Sequence, residues 1–173
     1  RSGRMRTTLK RKAKKVDIYR INPVKRADNL AMIKLLKIDL QHIREMDADE
    51  YTRFAIVDSQ PDHDPSLKKY QFDIIIDHHD VCQHSQAAFV DIKDEYGAVS
   101  TLFLEYIKAL KIKPSPRLAT ALFYAIKTDT ENFARPTTME DIRAFRYLYP
   151  EVNTNIIKKI EASEMTTSSL DSF

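Results

Sequence analysis

Three isoleucines closed by an acid and two imidazoles, Asp73-Ile74-Ile75-Ile76-Asp77-His78-His79, constrain this chain more than any other stretch. A short, continuous, β-branched apolar run reads as a strand buried on both faces, the habit of parallel sheets. Parallel strands need crossover connections, so the run predicts an α/β domain, and ligands of such sheets bind beyond the carboxyl ends of the strands. Asp77, His78 and His79 fall at that place. The pattern of apolar run then acid returns in Phe54-Ala55-Ile56-Val57-Asp58 and in Leu122-Phe123-Tyr124-Ala125-Ile126, which leads to Thr128-Asp129-Thr130. Three such arrivals predict one shared polar crevice with acids at its element ends.

The flanking segments agree with strands and helices in alternation. Val16 to Ile21 alternates like a strand closed by Asn22-Pro23, and residues 28–37 carry Leu30, Ile33, Leu35 and Leu36 at helical spacing behind Asp28 or Asn29 as N-cap. Another short strand is expected near residues 38–43. Pro61-Asp62-His63-Asp64-Pro65 reads as a turn, with at most one helical turn over 66–70. From Gly97 the period becomes helical through Val99, Leu102, Phe103, Tyr106, Ile107 and Leu110, with Pro114 as the stop. Pro116 opens a helix that takes in the Leu122 run, so that run fits either element type. Residues 139–149, capped by Thr137 or Thr138, and 155–162 give two more helices, and the Ser/Thr-rich 164–173 reads as a frayed tail or the start of a linker. The expected architecture is a three-layer α/β fold, a mainly parallel sheet with flanking helices.

Composition excludes several classes. At 173 residues one domain with a core is the default. No run approaches the roughly 18 to 20 apolar residues of a membrane span, and no signal-peptide core follows the basic start, so the expectation is a soluble, cytoplasmic chain. Cys82 is the single cysteine, which rules out an intramolecular disulfide and suits a reducing compartment. With only Gly3 and Gly97, neither the dinucleotide nor the Walker A glycine loop is possible. Eight Lys or Arg and no acid occupy residues 1–15. There Met5, Leu9 and Ala13 recur as on one face of an amphipathic helix, with a nucleic-acid arm as the other reading.

Asp58, His78 and Asp129 offer hard oxygen and borderline nitrogen donors, a mixture suited to Mn²⁺, Mg²⁺ or Zn²⁺. Two divalent ions about 3.5 to 4 Å apart would clamp a phosphoryl group and activate the attacking water. In extended geometry His79 points away from His78, so the pair is not expected on one ion, and His79 is given to the substrate phosphate. The helix start at Gly97 can hold a phosphate beside Ser100 and Thr101, although such residues also serve as caps. Arg135 lies close enough to Asp129 in sequence to reach a phosphate. Tyr19, Tyr51, Tyr70, Tyr96 and Phe133 are candidates to stack a base. A compact zinc cluster of His78, His79, Cys82 and His84 is a further metal reading, and His42 and His63 have no evident partner.

Taken in order, Asp58 at a strand end, Asp77-His78-His79, Tyr96-Gly97-Ala98-Val99-Ser100-Thr101 opening a helix, and Thr128-Asp129-Thr130-Glu131-Asn132-Phe133 resemble the later motifs of the DHH phosphoesterases, over about residues 16–150. The resemblance implies Asp58 as a bridging metal ligand, His78 and Asp129 as further ligands, His79 as a substrate contact, and Asp77 as the group that orients His78. It implies Mn²⁺, two ions in the intact site with Mg²⁺ as the other option, and a short oligonucleotide or phosphorylated nucleotide as substrate. A homodimer stays open. The family's first motif, His-x-x-x-Asp-x-Asp after a strand, has no match upstream of Val16. The resemblance therefore implies a partial domain over 1–163 that lacks its first strand and the C-terminal substrate domain. Two functions follow: a phosphoesterase, or a non-catalytic nucleotide- or protein-binding module with a degenerate site.

Overall fold

The computed structural model describes residues 13–170, of which 164–170 by backbone only. Its elements are β1 (Tyr19–Arg20), α1 (Ala27–Leu35), β2 (Gln41–His42), β3 (Ala55–Val57), β4 (Ile74–Asp77), β5 (Phe89–Ile92), α2 (Val99–Ala109), α3 (Pro116–Asp129), α4 (Met139–Leu148) and α5 (Thr154–Leu170), with short 3₁₀ turns between them. The triple isoleucine forms β4, the centre of a sheet ordered β3–β4–β5, and both pairings are parallel. Ile75 lies opposite Ile56 on one side and Val90 on the other.

Alternation along β4 splits the core in two. Ile76 joins the helical cluster of Leu102, Leu122, Ile126, Leu148 and Ile160, with Val57 and Ile74 packed against it. Ile75, which is fully buried, faces the other way and meets Ile56, Leu67 and Phe72. Burial of such a side chain contributes about 2 kcal/mol. The three layers are thus helices, sheet, and a lid of 3₁₀ turns around Pro65–Leu67. No α-helix covers the second face among the described residues, because the β3–β4 connection carries only Pro61–His63 and Pro65–Leu67 as 3₁₀ turns.

A second, two-stranded parallel sheet pairs Tyr19 with Gln41 and Arg20 with His42. It shortens the two strands expected around 16–21 and 38–43 to one pair of residues each. α1 crosses between them and packs on α5. Its N-cap is Arg26, not Asp28 or Asn29. Asp28 is buried inside the first turn, where Arg26 grips both carboxylate oxygens at 3.1 and 2.7 Å and the Tyr124 hydroxyl donates at 3.0 Å. A buried acid with three donors serves tertiary packing better than it serves a cap.

The Leu122 run is helical. Within α3 every residue from Leu118 to Ile126 is buried, since the helix sits among α2, α4 and α5. A helix apolar on all sides looks like a buried strand over a short window. Asp129 therefore arrives at the site from a helix C-terminus. β5 had no sequence expectation, and α5 stays helical well beyond residue 162. The amphipathic helix expected over the basic segment falls on residues outside the described ones except Ala13 to Lys15, which are not helical. No described helix is long and apolar enough to cross a membrane.

Candidate metal and phosphate site

Asp58 directly follows β3, and its amide still donates to the Ile76 carbonyl at 2.9 Å. The backbone then turns through φ 61°, a left-handed conformation that Asp tolerates better than most side chains. His78 directly follows β4. Its Nδ1 lies 2.9 Å from the Tyr96 main-chain carbonyl, which can only accept, so Nδ1 carries the proton. Nε2 is left facing Asp58 Oδ1 at 3.2 Å. Burial opposes a charge on this ring, but Asp58, the Tyr96 carbonyl and the negative charge of Asp129 together raise the His78 pKa above the ordinary imidazole value. Asp129, largely buried at the end of α3, thus acts on the same ring.

The two imidazoles converge. Their centroids are 4.6 Å apart, and one donor atom from each of Asp58, His78 and His79 lies within 4.8 Å of the others. The expectation that His79 points away fails because the strand ends at Asp77 and the pleat does not continue. Asp77 is also assigned differently by the geometry. It orients His79, accepting from Nδ1 at 2.8 Å, while a main-chain carbonyl orients His78.

A cavity of about 530 Å³ opens on the site. His78, His79, Asp129 and Arg135 line it, as do Arg26 and Lys127, so three cations share its wall with the acids Glu131 and Glu161. Arg135 is paired with Glu131 at 2.6 Å, and Lys127 with Glu161. Such a room can accept an anion next to the Asp58–His78 pair. For a divalent cation the donor set fits: an imidazole nitrogen already aimed at the Asp58 carboxylate, with a second carboxylate, Asp129, on the wall of the cavity that His78 lines. An imidazole among the donors favours Mn²⁺ or Zn²⁺ over Mg²⁺.

Ser100 and Thr101 do not line that cavity. Both are buried, and Thr101 donates to Asp141 at 2.5 Å while the Gly97 amide donates to the same carboxylate at 2.9 Å. The α2 N-terminus is thus already occupied by an anion, one supplied by α4. The zinc cluster does not assemble either: His84 pairs with Asp62 at 2.9 Å, and neither Cys82 nor His84 joins a metal-capable group among the described residues. Tyr19 and Tyr51 share a hydrogen bond, Tyr70 packs between Phe54 and Phe72, and buried Tyr96 donates to Glu105. Phe133 sets its ring edge-on to Phe145. His42 accepts from the Arg44 amide.

His63, Asp77 and His79 form a second group of close donors. Its donor atoms are already engaged within the protein. Both Asp77 oxygens are taken, by His79 and by the Gln60 amide at 2.7 Å, and His63 Nδ1 accepts from the Gln60 backbone at 3.2 Å. A neutral ring that accepts at Nδ1 carries its proton on Nε2 and offers no lone pair there. Gln60, Arg26, Tyr124 and Lys127 are the site residues that sequence reading missed. Tyr124 and Lys127 stand three residues apart on α3, which helical spacing puts on one face, whereas Gln60 and Arg26 had no such signal.

No protein-family model matches the chain. It is 36% identical over 144 residues to the uncharacterized protein MJ1633 of Methanocaldococcus jannaschii, a match that takes in 83% of this chain and 30% of that protein. The chain spans less than a third of the length of this relative. Among solved structures it superposes on a protein of Methanococcus jannaschii described as a family II inorganic pyrophosphatase, with a TM-score of 0.65 at 20% identity, over 84% of this chain and 51% of the other. The α/β fold read from the sequence, parallel strands flanked by helices, is therefore the fold this chain shares with that pyrophosphatase-type domain.

Proposed function

We propose that this chain is the metal-binding core of a phosphoesterase that hydrolyses phosphodiester or phosphomonoester bonds of short oligonucleotides or phosphorylated nucleotides. The observation that carries the reading is the Asp58–His78 pair, its ring orientation fixed by Tyr96, in which His78 lines a cavity shared with Asp129 and three cationic side chains. A solved structure of the same fold is described as a pyrophosphatase, which supports phosphate-bond chemistry. The cavity volume lies within the roughly 300 to 1,000 Å³ of small-molecule sites, which suits a nucleotide.

Asp58, His78 and Asp129 would hold the divalent ion, with Mn²⁺ the preferred choice. When bound, the ion supplies a Lewis acid for the phosphoryl oxygens and a water of lowered pKa. The chain's own groups do the rest. Arg26, Lys127 and Arg135 draw the phosphate into the cavity, His79 faces it, and Asp77 fixes the His79 ring.

The test is Mn²⁺-dependent hydrolysis of a dinucleotide and of a phosphorylated nucleotide by the full-length protein, with Mn²⁺ binding measured by calorimetry beside it. Asp58→Ala and Asp129→Ala are expected to lower turnover at least 100-fold and to weaken binding while the melting curve stays cooperative. Unchanged turnover in either variant sinks the assignment. Tight nucleotide binding by the wild type with no turnover identifies the non-catalytic module instead.

A further inference from the structure

The geometry points to Gln60 as the positioning residue of His79, acting through Asp77. Gln60 has no exposed surface, although glutamine is seldom fully buried. Its side chain uses both ends. Nε2 donates to Asp77 Oδ2 at 2.7 Å and to the Asp80 carbonyl at 2.9 Å, and Oε1 accepts from the Cys82 amide at 2.7 Å and from the Ser85 hydroxyl. The partners fix which end is which, since a carboxylate and a carbonyl only accept and a backbone amide only donates.

The consequence reaches the site through one carboxylate. With Oδ2 of Asp77 occupied by the Gln60 amide, Oδ1 is turned to His79 Nδ1 at 2.8 Å. A carboxylate accepts, so His79 holds its proton on Nδ1, and Nε2 becomes the acceptor atom of the ring. Gln60 also ties together three chain segments around this carboxylate: the turn after Asp58, the end of β4, and the 80–85 loop. A hydrocarbon of the same length fills the space but gives Asp77 no donor. The carboxylate is then free to rotate off Nδ1 toward other donors, and the ring loses the fixed acceptor that sets its tautomer and orientation. Groups that orient a site residue in this way commonly change activity by about 10- to 100-fold when removed. The catalytic part of this inference rests on the phosphoesterase reading, and the tautomer part does not.

The experiment is nitrogen-15 spectroscopy of the histidine rings in the metal-free, ligand-free protein at about pH 8.5, where an ordinary imidazole is neutral. Wild type is expected to show His79 as a single Nδ1–H tautomer. Gln60→Met, which keeps length and bulk, is expected to give a mixture of tautomers. Ser85→Ala removes a contact to Gln60 but leaves its donor to Asp77, and is expected to keep the wild-type pattern. A purely structural role would move both variants or neither. An unchanged His79 tautomer in folded Gln60→Met overturns the proposal. Should Gln60→Met fail to fold, the wild-type side-chain amide decides: protons exchanging as slowly as buried backbone amides support the bond, and exchange at the rate of an exposed glutamine overturns it. With both readouts in hand, an absence of turnover counts against the phosphoesterase alone.

Discussion

In the proposed metal site, His78 is the residue on which proton and metal would compete. In the metal-free protein burial disfavours its charge, and Asp58, the Tyr96 carbonyl and Asp129 outweigh that cost, so the folded state holds the proton more tightly than the unfolded chain does. A raised folded-state pKa gives stability that is complete below the unfolded value, about 6.5, and lost as pH rises through the folded value. Cation binding runs the other way, because the ion must take the place of that proton. We expect thermal melts in chelator to lose His78-dependent stability from about pH 6.5 upward, and the added stability from Mn²⁺ to grow over the same range. A His78→Gln variant is expected to show neither trend, and a pH-independent Mn²⁺ effect in wild type would remove His78 from the ligand set. Sequence reading singled out His78, Asp58 and Asp129 as candidates because acids and imidazoles at element ends carry their own signal. It linked Asp77 to the wrong histidine because neighbours in sequence do not reveal which ring a carboxylate faces. It missed Gln60 because an uncharged amide becomes significant only once it is buried among three segments.

At the level of elements, the junction between α2 and α4 is the tightest joint near the site. Asp141 accepts from the Gly97 amide and the Thr101 hydroxyl on the α2 side, and caps its own helix through Thr138 at 2.9 and 2.8 Å. A Cβ on Gly97 would stand 2.8 Å from Thr130 Cγ2, 3.1 Å from Asp141 Oδ2 and 3.2 Å from the Pro136 carbonyl. Glycine is needed there for close approach. Gly97→Ala is expected to destabilise the fold by about 2 kcal/mol, read as a lower denaturant midpoint. A change below about 0.5 kcal/mol would show that the joint yields freely. Thr130 in turn begins the turn after α3, where Glu131, Asn132 and Phe133 all take positive φ, at 48°, 57° and 67°. That turn is held by Asn132 N–H to the Lys127 carbonyl at 2.8 Å and Arg135 N–H to the Thr130 carbonyl at 3.0 Å, and it sets Glu131, Asn132 and Arg135 on the cavity wall. The helices were legible from their period, although the N-cap of α1 and the end of α5 were not. β5 was not, since four residues with Asp91 among them neither alternate cleanly nor form an apolar run.

At the scale of the whole molecule, every strand pairing among the described residues is parallel, and each joins residues well separated along the chain. The triple isoleucine announced this arrangement; what it left open was the division into two sheets and the covering of one face by turns, both of which depend on packing partners far away in sequence. With no hairpin in either sheet, no pair of strands can form as a local unit, and each must wait for a long loop to close. α2, α3 and α4 follow one another directly and pack together, joined by shorter connections than those between the strands. Folding is expected to begin in that helical half, with the β3–β4–β5 pairings formed late. Pulse-labelled hydrogen exchange during refolding checks this: amides of α3 should gain protection before those of β4, and the reverse order refutes it. Asp129 would then be in place early, on a finished helix, while Asp58 and His78 arrive with the last strands, so the proposed metal site would be assembled only in the final folding step.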